Sequence, residues 1–420
     1  MDFSFALSHG LFSSNDIDRG TRLLLGVLSG ILDEGGPLPR AVLDAGCGAG
    51  IMAVCAAGAL GRLYAERAAD GGKADAAVFH VRAQDRDELA RLFTVYNAAG
   101  NGVSSGELSA HTEPLLSGPP GATWDLVLSN IPAKAGLPVL EDFIRRLGGL
   151  LAPGGRAVLV VVHTLADFFR RRLCETGSLA DREEAGGGYS VFVYAPGPGV
   201  PAGKDVKTGG GGFCVPRSAY TREGHDLELE GTALHIDTVY GAPGFDNPGG
   251  AVLAAVKLVR RLGPGALPPR GKKALVHEGG QGWFPAWLLR FADLSPSELV
   301  LSGRNILALA AAAHNTGVSF VIPAAELFSE DQFEVLFPDG KTRTEKTPFG
   351  FIAAFPECIP RTERLDALWE GISSLLAEGG LALVSLPSGE AGRFDRKKPA
   401  GFTRKGDLKR GGFRALAYRR

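Results

Sequence analysis

The stretch that decides the fold is "AVLDAGCGAGIMAVCAAGAL", residues 41–60. Residues 40–46 form a short apolar run that predicts a buried strand, and it runs into a turn with glycines at 46, 48 and 50. Residues 51–69 then predict a helix. A strand, a glycine-rich turn and a helix in that order bring backbone N–H groups close to a ligand and favour anionic groups. No Lys-Ser/Thr pair follows the glycines, so the loop is not a nucleotide P-loop.

The same alternation continues outward. Strands are expected at 76–85, 124–130, 156–162 and 189–195, and helices at 21–32, 87–100 and 137–151. Strands alternating with helices indicate an α/β fold with a parallel, doubly wound sheet. The plan then repeats. Segments 272–292, 298–318, 349–360 and 368–387 answer 40–60, 79–103, 124–136 and 143–162 in order. Glu278 answers Asp44 and Phe355 answers Asn130, with 86 residues from Asp44 to Asn130 and 77 from Glu278 to Phe355. Order and spacing together point to an internal duplication. The expected organisation is a first domain over 1–195, a Gly- and Pro-rich linker over 196–216, and a second domain over 217–420.

Composition narrows the function. The chain has 420 residues, 45% of them hydrophobic, enough for two cores. It contains no long uninterrupted apolar run and no basic n-region at its start, so neither a membrane span nor a signal peptide is expected. Five scattered cysteines, at 47, 55, 174, 214 and 358, lack metal-ligand spacing and read as free thiols of a cytoplasmic chain. The net charge of −1 argues against a protein that coats nucleic acid, but residues 391–420 hold eleven Lys/Arg against two Asp. That basic segment is either an anion-binding face or a solvated terminus.

Particular residues suit particular chemistry. An acidic side chain ending the second strand can accept both hydroxyls of a ribose diol. Asp85 holds that place, Asp87 is its rival, and a helix cap is the structural alternative for each. Asn130, at the end of the 124–130 strand, begins Asn130-Ile131-Pro132-Ala133. It serves either as a site residue or as a strand-end turn residue.

Four ordered stretches, 10–25, 43–50, 83–102 and 125–136, resemble the class I S-adenosylmethionine-dependent methyltransferases. More narrowly, they resemble the methyltransferase small family, which includes ribosomal RNA guanine-N2 methyltransferases. The resemblance implies two tandem Rossmann-like methyltransferase domains and S-adenosyl-L-methionine as cofactor. It implies cofactor-binding roles for Phe12, Asp44, Gly46, Gly48, Gly50, Asp85, Glu113 and Asn130, with Glu113 near the adenine or simply a loop carboxylate. It implies catalytic roles for Asn130, Ile131 and Pro132, which stand where the family carries Asn-Pro-Pro-Tyr or Asn-Pro-Pro-Phe.

Methyl transfer from a sulfonium is an in-line displacement, so the amine lone pair must be aimed at the methyl group. The Asn side-chain oxygen and the neighbouring backbone carbonyl can hold the two N–H groups of the amine and turn the lone pair. Proline stiffens the turn. Ala133 replaces the aromatic that would stack on a flat base, and Phe12 and Trp124 are candidate substitutes. Lys134, just past the turn, meets a phosphate or faces water. In the second half, Glu278-Gly-Gly-Gln-Gly282 is followed by Trp283 and Phe284, expected to crowd the places of Ala49 and Gly50. Arg304 and Asn305 stand near the ribose position, so the second copy is expected to be degenerate.

The expected partner is RNA, with guanine N2 of ribosomal RNA as the named target. The basic residues of 393–420 would meet phosphates, and Phe394, Phe402, Phe413 and Tyr418 would stack on bases. The same segment could instead be a final strand pair of the second domain. A protein amide, a small molecule, or binding without turnover are the competing readings. A monomer containing an internal pseudo-dimer is the expected assembly.

Overall fold

The computed structural model describes residues 2–12, 15–69, 79–119, 121–180, 188–198, 219–267, 271–327, 348–358 and 364–420. Most of the expected linker, 199–216, and with it Cys214, lies outside the described residues. The chain divides into two compact units, Met1–Gly210 and Gly211–Arg420.

The first unit runs α1 (Arg19–Asp33), β1 (Ala41–Ala45), α2 (Ile51–Ala69), β2 (His80–Asp85), α3 (Glu88–Gly100), β3 (Leu108–Thr112), β4 (Trp124–Asn130), α4 (Leu137–Leu150), β5 (Leu151–Val162), α5 (His163–Thr176), β6 (Gly177–Ala180) and β7 (Tyr189–Pro196). Its sheet has the order β3-β2-β1-β4-β5-β7-β6. The first five strands are parallel, and β7 runs antiparallel to β5 and β6. The chain reverses its direction of winding between β1 and β4, so the carboxyl ends of those strands frame the crevice where such sheets bind ligands.

Local chemistry explains the helix starts. Asp18 caps α1 by accepting from the Thr21 N–H, and Asp87 caps α3 by accepting from Leu89 N–H. Leu24, Val27, Leu28 and Leu32 form the buried stripe of α1. Helix α5 was not expected from the sequence. Its buried residues are only Ala166, Phe169 and Leu173, set among arginines, so its apolar signal is thin.

The second unit opens with a hairpin, β8 (Thr221–Leu229) and β9 (Thr232–Val239), and α6 (Gly250–Leu262). It continues through β10 (Ala274–His277), α7 (Trp283–Ala292), β11 (Leu299–Gly303), α8 (Ile306–Thr316), β12 (Phe320–Pro323) and β13 (Phe349–Ala354). It closes with α9 (Leu365–Leu375), β14 (Leu376–Pro387), α10 (Ser388–Arg396), β15 (Thr403–Arg410) and β16 (Phe413–Arg419). The sheet order is β12-β11-β10-β13-β14-β16-β15, the order of the first unit.

The equivalence of the two units extends to single atoms. Gly46 N–H bonds Gln84 O, and Glu278 N–H bonds Ser302 O; Glu113 N–H bonds Asp85 O, and Ala324 N–H bonds Gly303 O. The Asn97 side chain accepts from Ala6 N–H and donates to Ala6 O and Ala49 O. Asn315 repeats this with Asp237 N–H, Asp237 O and Gln281 O. This register corrects the expected alignment by two residues. Glu278 stands at the place of Gly46 and Val276 at that of Asp44, while Trp283 and Phe284 take the places of Ile51 and Met52. Gly280 and Gly282 keep those of Gly48 and Gly50.

Gly50 is where the turn demands glycine. Its φ is +81°, and a Cβ there would lie 2.7–2.9 Å from Oγ1, Cγ2 and Cα of Thr94. Gly282 meets the Cα of Ala312 in the same way, at 3.1 Å. Gly50→Ala is expected to destabilise the first unit by about 3 kcal/mol, from overpacking plus left-handed strain. A thermal melt of the variant checks this.

The C-terminal basic segment is a strand pair of the second sheet, and this corrects the stacking role expected of its aromatics. Phe394, Phe402 and Tyr418 are buried, and Phe394 stacks on Trp369 at 4.4 Å. Phe413 packs against the other face of the same sheet. Several of the cations are paired within the second unit: Arg393 with Glu390, Lys397 with Asp366, Arg404 with Asp395, Arg410 with Glu230 and Arg414 with Asp407. Among the described residues no helix is long and apolar enough to cross a membrane.

Candidate active site

The site of the first unit forms where β1, β2 and β4 end. Gly46, Gly48 and Gly50 all have positive φ, and together they fold the chain back over the end of the sheet. A Cβ on Gly48 would meet nothing within 4 Å, so the loop presents an open backbone surface there. The Ala49 N–H donates to no described group, and α2 begins one residue beyond Gly50. The N–H groups that open a helix have no partner within it.

Asp44 lies fully buried under this loop. Its Oδ2 accepts from Ala53 N–H at 2.9 Å, while its Oδ1 has no hydrogen-bond partner. Burial pushes the carboxyl up to about 7, partly offset by the Ala53 bond and reinforced by the charge of Asp85. A buried carboxylate with one empty oxygen is costly alone and suited to a cationic group.

Asp85 ends β2 and turns into the loop. Its Oδ2 accepts from Gly48 N–H and its Oδ1 from Asp87 N–H, each at 3.0 Å. Burial raises its pKa, and the Gly48 bond works against that rise. The unusually long stretch between Gly50 and Asp85 therefore leaves this carboxylate against the glycine loop. Asp87, the rival, is spent as the α3 cap. Glu113 bonds Arg82 through Oε1 at 2.9 Å, and its Oε2 is buried without a partner. It joins the Asp85 side of the site through its backbone N–H.

Asn130 ends β4, and its Nδ2 donates to Asp18 Oδ1 and Oδ2 at 3.3 and 3.2 Å and to Thr21 Oγ1 at 3.1 Å. No described group donates to its Oδ1. Ile131 is buried and gives its N–H to Val160 O, and its carbonyl accepts no described hydrogen bond. Pro132 O accepts from Ala135 N–H and closes the turn. Ala133 and Lys134 are exposed.

Of the two expected neighbours, Trp124 is not brought into the site. Trp124 is buried at the opposite end of β4, about 20 Å of strand from Asn130, so it is a core residue. Phe12 is 69% exposed and has no ring contact among the described residues. Asp18 and Thr21 were missed as site residues. Their sequence signal was the Asp-x-Gly-Thr run opening α1, which reads locally as a helix cap.

The second unit keeps the loop and loses four polar side chains of the first. Val276, Gly303, Ala324 and Phe355 replace Asp44, Asp85, Glu113 and Asn130. Phe355 packs edge-on against Phe284, with centroids 5.0 Å apart, so apolar side chains fill the place of the polar pocket. Glu278 holds a left-handed backbone at φ +57° and bonds Arg304 N–H through Oε1.

The site is a glycine loop at the switch point of a 3-2-1-4-5-7-6 sheet with an Asn ending the fourth strand, and residues 2–170 match the family model described as the methyltransferase small domain. The chain is 33% identical over 167 residues to the ribosomal protein L11 methyltransferase of Xanthomonas axonopodis pv. citri (strain 306), and 32% over 172 residues to that of Xanthomonas euvesicatoria pv. vesicatoria (strain 85-10). Each match covers 40% of this chain and 46% of the relative, so the chain spans about half the length of those curated relatives. The fold is that of the T. Thermophilus 16S rRNA N2 methyltransferase (RsmC), solved in complex with AdoMet and guanosine. The TM-score is 0.62 at 16% identity, over 99% of this chain and 94% of that one.

Proposed function

We propose that the first unit is an S-adenosylmethionine-dependent methyltransferase acting on an exocyclic amine of RNA, with guanine N2 of ribosomal RNA as the target. The observation that carries this reading is the end of β4: an Asn130 Oδ1 and an Ile131 carbonyl, both without described donors, beside an open glycine loop.

The residues present fit the cofactor. Asp44, with its buried and unpartnered Oδ1, would hold the ammonium group. The backbone of Gly46–Gly50 would take the carboxylate, and Asp85 the ribose diol. When bound, S-adenosylmethionine supplies an electrophilic methyl group. The protein's own part is to orient the acceptor. Asn130 Oδ1 and Ile131 O accept the two N–H bonds of the amine and turn its lone pair outward, and Pro132 keeps the turn stiff. The second unit, whose equivalent positions are apolar, acts as a partner platform in this reading. Its exposed Lys405 and Lys409 on the edge strand β15 are available to phosphates. The segment's buried aromatics cannot stack on bases.

A protein acceptor is the second reading. The exposed Ala133 in place of an aromatic favours it, and so do the relatives named for ribosomal protein L11. Labelled-methyl transfer to total RNA and to total protein, both from cells lacking this chain, separates the two. Label in RNA, released as N2-methylguanosine on digestion, is the expected result; label confined to protein would replace the RNA reading.

A further inference from the structure

The duplication supplies an internal control for which side chains serve the site and which serve the fold. Features needed to build the unit persist in both copies. Asn97 and Asn315 tie the glycine loop to the segment before α1 or α6 by the same three bonds. Asp87 and Asn305 cap the equivalent helices α3 and α8. The first helical bonds, Arg22 N–H to Asp18 O and Leu253 N–H to Gly249 O, fix the register of α1 against α6.

That register places Asp18 opposite Gly249 and Thr21 opposite Val252. In the second copy all three members of the Asp18–Thr21–Asn130 cluster are therefore lost together, to Gly249, Val252 and Phe355. Helix α6 nevertheless forms, with Gly249 at its N-cap and no capping side chain. The fold does not need a carboxylate at that position; the copy that keeps Asn130 does.

The geometry shows what it does there. Every described side-chain partner of Asp18 is a donor: the Thr21 N–H at 3.1 Å, the Thr21 hydroxyl at 2.5 Å, and Asn130 Nδ2. With its proton given to Asp18, Thr21 Oγ1 can only accept from Asn130. A carboxylate cannot donate, so the amide of Asn130 has one stable orientation. We propose that Asp18 and Thr21 are positioning residues, which take the Asn130 NH2 group and so leave only its carbonyl oxygen for the substrate. The site then accepts a hydrogen-bond donor, an amine or amide N–H, and rejects a substrate that offers an acceptor at that point. This rests on the methyltransferase reading above.

Asp18→Asn and Asp18→Ser separate positioning from capping, because Asn and Ser cap helices about as well as Asp. In Asp18→Asn the new NH2 faces that of Asn130 and favours the flipped amide; in Asp18→Ser the side chain is too short to reach it. Both variants are expected to melt close to wild type and to bind S-adenosylmethionine within about twofold of it, while the transfer rate at saturating cofactor falls about 10- to 100-fold. Thr21→Val is expected to fall less. A second readout needs no turnover. In protein labelled with 15N-asparagine, the side-chain NH2 pair that vanishes in Asn130→Ala identifies Asn130, and it should shift in Asp18→Ser and Asp18→Asn. Wild-type transfer in both Asp18 variants while Asn130→Ala is inactive, or an unmoved NH2 pair, overturns the positioning role alone. Full transfer by Asn130→Ala overturns the role of Asn130 and the positioning role with it.

Discussion

Asn130→Ala is expected to lower the rate of methyl transfer on the order of 100- to 1,000-fold and to leave S-adenosylmethionine binding nearly unchanged. The size follows from losing one fixed acceptor and the orientation it imposes on the amine. Cofactor binding survives because Asp44, Asp85 and the glycine loop are untouched. Those three come from β1 and β2, whereas Asn130 comes from β4. Asn130→Asp should be no better. Its carboxylate would face the Asp18 carboxylate where an NH2 now donates, and two like charges there repel. Initial rates at saturating cofactor, with calorimetry on the same preparations, check both parts.

Asp44→Ala is expected to weaken S-adenosylmethionine binding by about 100-fold, since a buried ion pair loses one partner. The pH dependence of the wild type carries the same information. The folded, ligand-free chain holds the Asp44 proton up to about pH 7, above the ordinary value of 3.8. The unfolded chain binds fewer protons than the folded one through that window. Stability of the ligand-free chain therefore falls as pH rises through it and levels off above pH 7. Asp44→Asn removes the charge and should make the ligand-free protein more stable at pH 8, by about 2 kcal/mol after allowing for the unpaired NH2. A cation held by Asp44 needs the carboxylate, so wild-type affinity should rise between pH 5.5 and 7.5 and Asp44→Asn should lose that rise. Titrations in buffers of different ionisation enthalpy would show the released proton.

The sheet was legible because its strands are short apolar runs punctuated by glycine, Asn and Asp, and β4 and α2 fall where those letters put them. Asp85 and Asp44 were legible for the same reason, being carboxylates at strand ends. Helix α5 was not, because three buried residues among arginines give little periodicity. The alignment of the copies slipped because Glu278 and Asp44 are both acidic and close to a glycine run. Hydrogen bonds in the structure, Gly46 to Gln84 and Glu278 to Ser302 with those of Asn97 and Asn315, fix the register. The aromatics of 393–420 look like base-stacking residues in a linear reading, and packing around Trp369 turns three of them, Phe394, Phe402 and Tyr418, into core. Asp18 and Thr21 could not be assigned from spacing, since they lie 112 and 109 residues from Asn130, and their local pattern is satisfied by a helix cap.

Internal duplication with one working copy is the centre of this account, and the stoichiometry of cofactor binding tests it most directly. Calorimetric titration of the full chain with S-adenosylmethionine should give one site per 420-residue chain, strongly weakened by Asp44→Ala and unaffected by Val276→Ala. Two sites per chain, or binding that survives Asp44→Ala at full strength, would contradict it.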